Sequence, residues 1–282
     1  MHAILSLLAA LPLAVPVLSS PLQLPFLSPT SPCSTAASSA FLDKAHRVSL
    51  QLGVMSRCPD AHLCEAVFER VLETQVEVQF EVLEEEGKPG NGTRREKRKV
   101  EVRELVDLST LYIARENTTA EEYGVTCMHG ALECRGNVQQ LCAAKYWNDP
   151  GRKDPKDVEQ EEESAEEEFV QCINYGETSS IGTDRKAKEC AKIVGREWTD
   201  ALTACTDPST RSEGSHLLLS SVREAKKLEV QKSCTILIEK NKVCIHDSTW
   251  QSCPAGHAPA DFAKQIRQEW ESLNARDGKR EE

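Results

Sequence analysis

Cysteine dominates the chemistry available to this chain. Its 282 residues hold 12 cysteines against 3 methionines, an even number well above ordinary cytosolic usage. Sulfur in that quantity serves as staples, as metal ligands or as redox chemistry, and three groups of residues compete for these roles. The first is Cys58-Pro59-Asp60-Ala61-His62-Leu63-Cys64. A cysteine at the end of a strand and the start of a helix faces unsatisfied N–H groups and the positive end of the helix dipole, both of which favour a thiolate. A neighbouring cysteine then resolves a mixed disulfide by thiol–disulfide exchange. Against this stands a plain staple, because Cys64 shares the apolar stripe of the following helix.

The spacing of that group restricts it. In a C-x-x-C pair the second cysteine returns to nearly the same helix face, whereas six positions along a helix rise about 9 Å, beyond the ~7 Å Cα limit for a disulfide. Cys58 and Cys64 can pair only if residues 59–63 loop, which Pro59 and Asp60 permit. His62 could stabilise a thiolate from inside the loop, although an exposed spectator is the simpler reading.

The second group runs from Cys127 through His129, Cys134 and Asn137 to Cys142. Cys127, His129 and Cys134 suggest zinc ligands, but neither spacing matches a C-x-x-C knuckle, and a disulfide knot with a helix start fits better. The third is Cys234 and Cys244 flanking a hairpin, with Cys253 beyond, where stapling is favoured and connectivity is open. Neither a Ser/His/Asp arrangement, nor a phosphate loop, nor an H-E-x-x-H pattern is present. His246 and His257 read as surface histidines.

The compartment decides how these cysteines are used. Met1 to Ser20 carries no charged residue, and Ala3 to Leu18 forms an apolar run with a small-residue cleavage site after it. This predicts a secretory signal peptide over 1–20. Two sequons, at Asn91 and Asn117, fit the same route. The mature chain is then expected in an extracellular or lysosomal/vacuolar lumen, without a membrane span and with most cysteines oxidised. A net charge of −11 excludes the simplest nucleic-acid reading, because phosphate binding needs a basic surplus.

The elements that position the cysteines follow from periodicity. Residues 21–45 are a Pro/Ser/Thr-rich leader holding Cys33. Val48 to Val54 alternates as a half-buried strand does, and Leu63, Cys64, Val67, Phe68, Val71 and Leu72 recur at helical spacing, with Asp60 the expected N-cap. Residues 76–102 form a charged insertion, expected as an exposed, poorly ordered hairpin, and Leu105 to Ala114 reads as a strand. Residues 116–214 form a cysteine-rich helical insertion, with Asn137 and Gln140 resembling a capping box and Asp157 to Glu168 a solvated linker or helix face. Ser215 is expected to cap an amphipathic helix. Cys234 to Ile238 and Lys242 to Ile245 predict two strands, and a last helix starts near Ala260. Residues 274–282 form a charged tail. The parts at 46–115 and 215–273 have the element order of an α/β, thioredoxin-like fold interrupted in the middle.

The second group also carries a family pattern. Cys127, His129, Gly130, Glu133, Cys134, Asn137 and Cys142 fall on C-x-H-G-x-x-E-C-x-x-N-x-x-x-x-C, and the chain from about Val48 to Leu273 resembles the gamma-interferon-inducible lysosomal thiol reductase family. Met128 replaces the usual glutamine. The C-x5-C spacing and the Ser-Cys-Thr strand start look like the fungal branch, and no proline stands in Gln231 to Cys234, where such folds place a cis-proline. The resemblance implies a glycoprotein that reduces protein disulfides at acidic pH, with Cys58 as attacking thiolate and Cys64 as resolving cysteine. It implies disulfide-containing protein substrates and an external thiol, with no metal or organic cofactor. Cys127, Cys134, Cys142, Cys172, Cys190, Cys205, Cys234, Cys244 and Cys253 are left as staple candidates, giving about five staples and one exchangeable pair if Cys33 finds a partner. The competing reading, favoured by the C-x5-C spacing, is an inactive, disulfide-stabilised binding or structural glycoprotein of the same fold.

Overall fold

The computed structural model describes residues 45–83, 93–147 and 164–277. The apolar N-terminal segment, Cys33 with nearly all of its leader, Asn91, most of the glutamate-dense run and the end of the charged tail lie outside the described residues.

The alternating segment forms β1 (Val48–Val54), with Val48, Leu50, Leu52 and Val54 buried. Proline lacks the N–H that a first helical residue leaves unpaired anyway, and Pro59 opens α1 (Pro59–Leu72) behind Cys58 as N-cap. Asp60, expected at the cap, lies in the first turn. Its carboxylate instead accepts the Ser248 N–H at 2.8 Å and pairs with His246 Nδ1 at 2.9 Å. The helix start is thus tied to a distant turn.

The described parts of the charged insertion pair regularly as β2 (Gln75–Leu83) and β3 (Thr93–Glu101), and residues 84–92 lie outside the described residues. Val78, Phe80 and Val100 are buried while Glu77 and Gln79 are exposed. That period-two alternation was present in the sequence beneath the density of charge. A 3-10 turn, Val102–Leu105, leads into β4 (Val106–Tyr112). Two short strands follow, β5 (Arg115–Glu116) and β6 (Val125–Thr126).

The helical insertion comprises α2 (Ala131–Trp147), α3 (Ala165–Asn174), α4 (Asp184–Ile193) and α5 (Asp200–Cys205). Asn137 does not open α2: the helix begins at Ala131 and Asn137 is buried within it. Next comes α6 (Glu213–Lys227), capped by Ser212 rather than Ser215. The Ser212 hydroxyl accepts the Ser215 N–H at 3.1 Å, and Ser215 Oγ donates to the Tyr123 carbonyl at 3.0 Å. The three misassigned caps, Asp60 among them, have the same cause, since a periodic stripe marks a helix face without marking its first residue. The chain ends its ordered path with β7 (Thr235–Ile238), β8 (Asn241–Asp247), β9 (Thr249–Gln251) and α7 (Pro259–Asp277).

The main sheet runs β4-β1-β7-β8-β9. β1 and β4 are parallel, which demands a crossover connection, while β7 is antiparallel to β1 and β8 antiparallel to β7. The register sets Leu50 opposite Ile238, so the two halves of the fold share one sheet across the insertion. Successive side chains of β7 point to opposite faces. Ile236 and Ile238 join a core with Phe68, Phe262, Ile266 and Trp270, and Leu237 joins Leu111, Ala225 and Val230. Helices therefore cover both faces of a mixed sheet in the thioredoxin-like arrangement. Among the described residues no helix is long and apolar enough to cross a membrane.

Five disulfides hold this frame: Cys64–Cys234, Cys127–Cys134, Cys142–Cys205, Cys172–Cys190 and Cys244–Cys253. Among the described residues Cys58 is the one free cysteine.

Candidate functional site

β1 delivers its last residue, Val54, to a four-residue loop ending at Cys58. The Cys58 N–H donates to the Met55 carbonyl at 2.9 Å, closing the loop on itself. Cys58 is half-buried, extended at φ −83° and ψ 124°, and stands at the positive end of α1. Its Sγ lies 4.0 Å from the Ser233 carbonyl oxygen. Ser233 is bound to the same loop, since its Oγ accepts the Met55 N–H at 3.1 Å. The Ser233–Cys234 peptide bond is cis, in the segment where a cis-proline was absent.

The expected Cys58–Cys64 pair is not formed. Residues 59–63 run as regular helix instead of looping, which separates the two by about 9 Å of rise. Cys64 turns into the core and closes on Cys234, at a Cα separation of 6.1 Å. Ala61, also buried, occupies the position three residues after Cys58. Cys234, expected as a hairpin staple, is thereby assigned to α1 rather than to Cys244, which pairs with Cys253.

The Cys127–Cys142 segment forms a cradle under this loop. Cys127 and Cys134 are joined, which leaves neither as a zinc ligand with His129. Gly130 adopts φ +89° at the turn between them, a conformation that disfavours any side chain. Glu133 is fully buried; it accepts the His129 N–H at 3.2 Å and its other oxygen pairs with His129 Nδ1. Asn137 Oδ1 accepts the Ser56 N–H at 3.1 Å, and Asn137 Nδ2 approaches Cys127 Sγ at 3.9 Å. Ser56 Oγ donates to the Glu133 carbonyl at 3.1 Å. Arg57 reaches the same segment, its guanidinium donating to the carbonyls of His129 and Thr178 at 3.2 and 3.1 Å. Gly136 permits the approach: a Cβ there would stand 2.7 Å from Ser56 Oγ. Cys142 fastens the far end of the cradle to α5.

His62 is no spectator. Its Nε2 hydrogen-bonds the Ser56 carbonyl at 2.9 Å, one turn from Cys58. His246 is 7% exposed rather than on the surface, packed edge-on against Trp250 and paired with Asp60. His257 is exposed and also stacks on Trp250. Ser56 and Arg57 were missed in the sequence, where polar residues beside a cysteine carry no period, whereas Ser233 or a neighbour was expected in the cis-proline place. The one signal for Ser56 and Arg57 was position, just after the predicted end of the first strand.

Two neighbouring groups titrate unusually. Burial pushes the Glu65 carboxyl up to about 7 against the opposing hydrogen bond from Asn174, 2.6 Å away. Burial also raises the Tyr112 phenol, which donates to Gln140 Oε1 at 2.6 Å. A cavity of about 630 Å³ opens beside Met55, lined by Ile113, Met128, Val222, Val230 and Gln231 among others. Among the described residues no cluster of three His, Cys, Asp or Glu could hold a metal ion. At the Asn117 sequon, Oδ1 accepts from the Thr119 N–H and hydroxyl at 3.1 and 2.8 Å, and Nδ2 donates to Thr126.

No curated protein matches the chain. In structure it is similar to the crystal structure of reduced DsbA from Mycobacterium tuberculosis, with 12% identity, a TM-score of 0.41 and coverage of 81% of this chain and 88% of that one. It is also similar to a putative protein disulfide isomerase from Nitrosomonas europaea, with 10% identity, a TM-score of 0.43 and coverage of 80% and 98%. Residues 93–194 match the family Gamma interferon inducible lysosomal thiol reductase (GILT). The match contains the cradle and excludes Cys58. Over that segment, with Cys127, His129, Gly130, Glu133, Cys134, Asn137 and Cys142 each in a structural role around one loop, the chain is similar to the GILT family.

Proposed function

We propose that this chain is a thiol–disulfide oxidoreductase that reduces disulfides in protein substrates, with Cys58 as the attacking sulfur. The observation that carries the reading is the placement of Cys58: the one free cysteine among the described residues, half-buried at a helix start and held by the family's own signature residues. The cavity beside Met55 offers apolar walls for a substrate segment. An external thiol recycles the protein, and neither a metal nor an organic cofactor takes part. The compartment is the extracellular space or a lysosomal or vacuolar lumen, supported by the apolar segment Met1 to Leu18 and the sequons at Asn91 and Asn117. A raised Glu65 carboxyl suits an acidic lumen, because the folded state binds its proton there.

The test is insulin reduction at acidic and neutral pH by wild type and Cys58→Ser. Loss of turnover in the variant is the expected result, and equal rates would overturn the reading. The Cys64–Cys234 cross-link favours a second reading, an inactive binding or structural glycoprotein of the same fold. That reading predicts no turnover in the wild type.

A further inference from the structure

Three cysteines meet where α1 and β7 begin, and only one of them touches solvent. Cys64 and Cys234 are each 0% exposed, and their disulfide lies inside the core. An external thiol or a substrate sulfur cannot approach either of them directly. Cys58 is half-buried, and its Sγ lies 4.0 Å from the Ser233 carbonyl, one peptide unit from Cys234. The Met55–Ser233 and Cys58–Met55 hydrogen bonds hold the two segments together at that point. Cys64 lies beyond the reach of Cys58, about 9 Å along the helix, yet bonds Cys234. Cys234 thus follows directly on the residue that faces Cys58 and is itself bonded to Cys64.

We propose that Cys234, rather than Cys64, resolves the mixed disulfide on Cys58, and that Cys64–Cys234 is the buried resting place of the oxidising equivalent. This deepens the proposed function and rests on Cys58 as attacking sulfur. Starting from three thiols, the Cys58 thiolate attacks the substrate disulfide; that S–S bond breaks, and the first substrate sulfur leaves as thiolate and takes a proton. The Cys234 thiolate then attacks Cys58 Sγ, forming Cys58–Cys234 and releasing the second substrate thiolate, which also takes a proton. Finally the Cys64 thiolate attacks Cys234 Sγ, forming Cys64–Cys234 and regenerating the Cys58 thiolate. The substrate gains two electrons and two protons, and the Cys64/Cys234 pair loses them. Reset runs backwards: Cys58 draws the disulfide back to Cys58–Cys234, and two equivalents of an external thiol reduce it there.

The experiment compares full-length wild type, Cys64→Ser and Cys234→Ser, each reduced under mild conditions and challenged with glutathione disulfide. Peptide mass spectrometry follows the adducts. Both variants lack the same cross-link, so any general loosening of the fold is shared between them. The expected result is that Cys64→Ser releases the second glutathione and accumulates Cys58–Cys234, while Cys234→Ser keeps glutathione on Cys58 at least about tenfold longer. Release that is equally fast in Cys234→Ser, or blocked in Cys64→Ser alone, would overturn the relay while leaving Cys58 as attacker. Absence of any Cys58 adduct in all three proteins would overturn both proposals.

Discussion

Asn137 Oδ1 accepts the Ser56 N–H at 3.1 Å, joining the middle of α2 to the loop that presents Cys58. The two residues are separated by 81 positions in sequence, and both are buried. A family signature that reads as a cysteine knot is thus also the mould for a loop outside itself. Asn137→Ala leaves a buried N–H without its acceptor, which costs roughly 1–3 kcal/mol. Urea denaturation should show a loss in that range, and an unchanged midpoint would remove Asn137 from this role.

Gly136 gives a second test of the same contact. A Cβ at this position meets Ser56 Oγ at 2.7 Å and Ile181 Cγ2 at 2.9 Å, so Gly136→Ala should destabilise by about 1–3 kcal/mol through overpacking. In a Ser56→Ala background one of the two collisions disappears. A double-mutant cycle should therefore return a coupling energy above about 0.5 kcal/mol, and strict additivity would mean that the helix relaxes elsewhere.

The Glu65 carboxyl predicts a pH dependence with a definite sign. Its folded-state pKa, raised by burial to about 7 from 4.5, means that the folded protein holds this proton more tightly than the unfolded chain. The contribution is fully present below about pH 4.5 and is lost as pH rises through about 7. Glu65→Gln should flatten the stability profile across that window, by roughly 1–3 kcal/mol between its ends. Thermal melts from pH 4 to 8 would measure it, and parallel curves for the two proteins would contradict it.

The staples should differ in worth according to the chain they enclose. Cys142–Cys205 spans 63 residues and Cys244–Cys253 spans 9. Loop-closure entropy makes removal of the longer one costlier by about 1–2 kcal/mol. Chemical denaturation of the two paired Cys→Ala variants tests the order, and a reversed ranking would place the difference in packing instead.

The fold was legible in sequence wherever one face is buried. β1 lies where its alternation put it, and α7 follows the Phe262, Ile266, Trp270 stripe. The hairpin of β2 and β3 was misjudged because charge on one face hid an equally regular apolar face. The site was half legible. Cys58 stands out by its strand-to-helix position, and the signature residues by their spacing. The pairing of Cys64 was not readable, because spacing along a helix limits which neighbour a cysteine can reach but is silent about a strand 170 residues away. The role of Asn137 inside its helix was unreadable for a related reason: its partner, Ser56, belongs to another part of the chain.

The reach of Cys64–Cys234 also governs how the molecule comes into being. Cys127–Cys134 joins residues 7 apart and can close as soon as both have left the ribosome. Cys64 must wait for a partner made 170 residues later, while eight other cysteines, Cys33, Cys58 and the six from Cys127 to Cys205, are made before that partner. The cross-link can close only after Cys234, just ahead of β7, has been made, long after Cys64. Until then Cys64 is a thiol among earlier-made thiols, and its native partner is the one farthest from it in sequence among the five cross-links of the described residues.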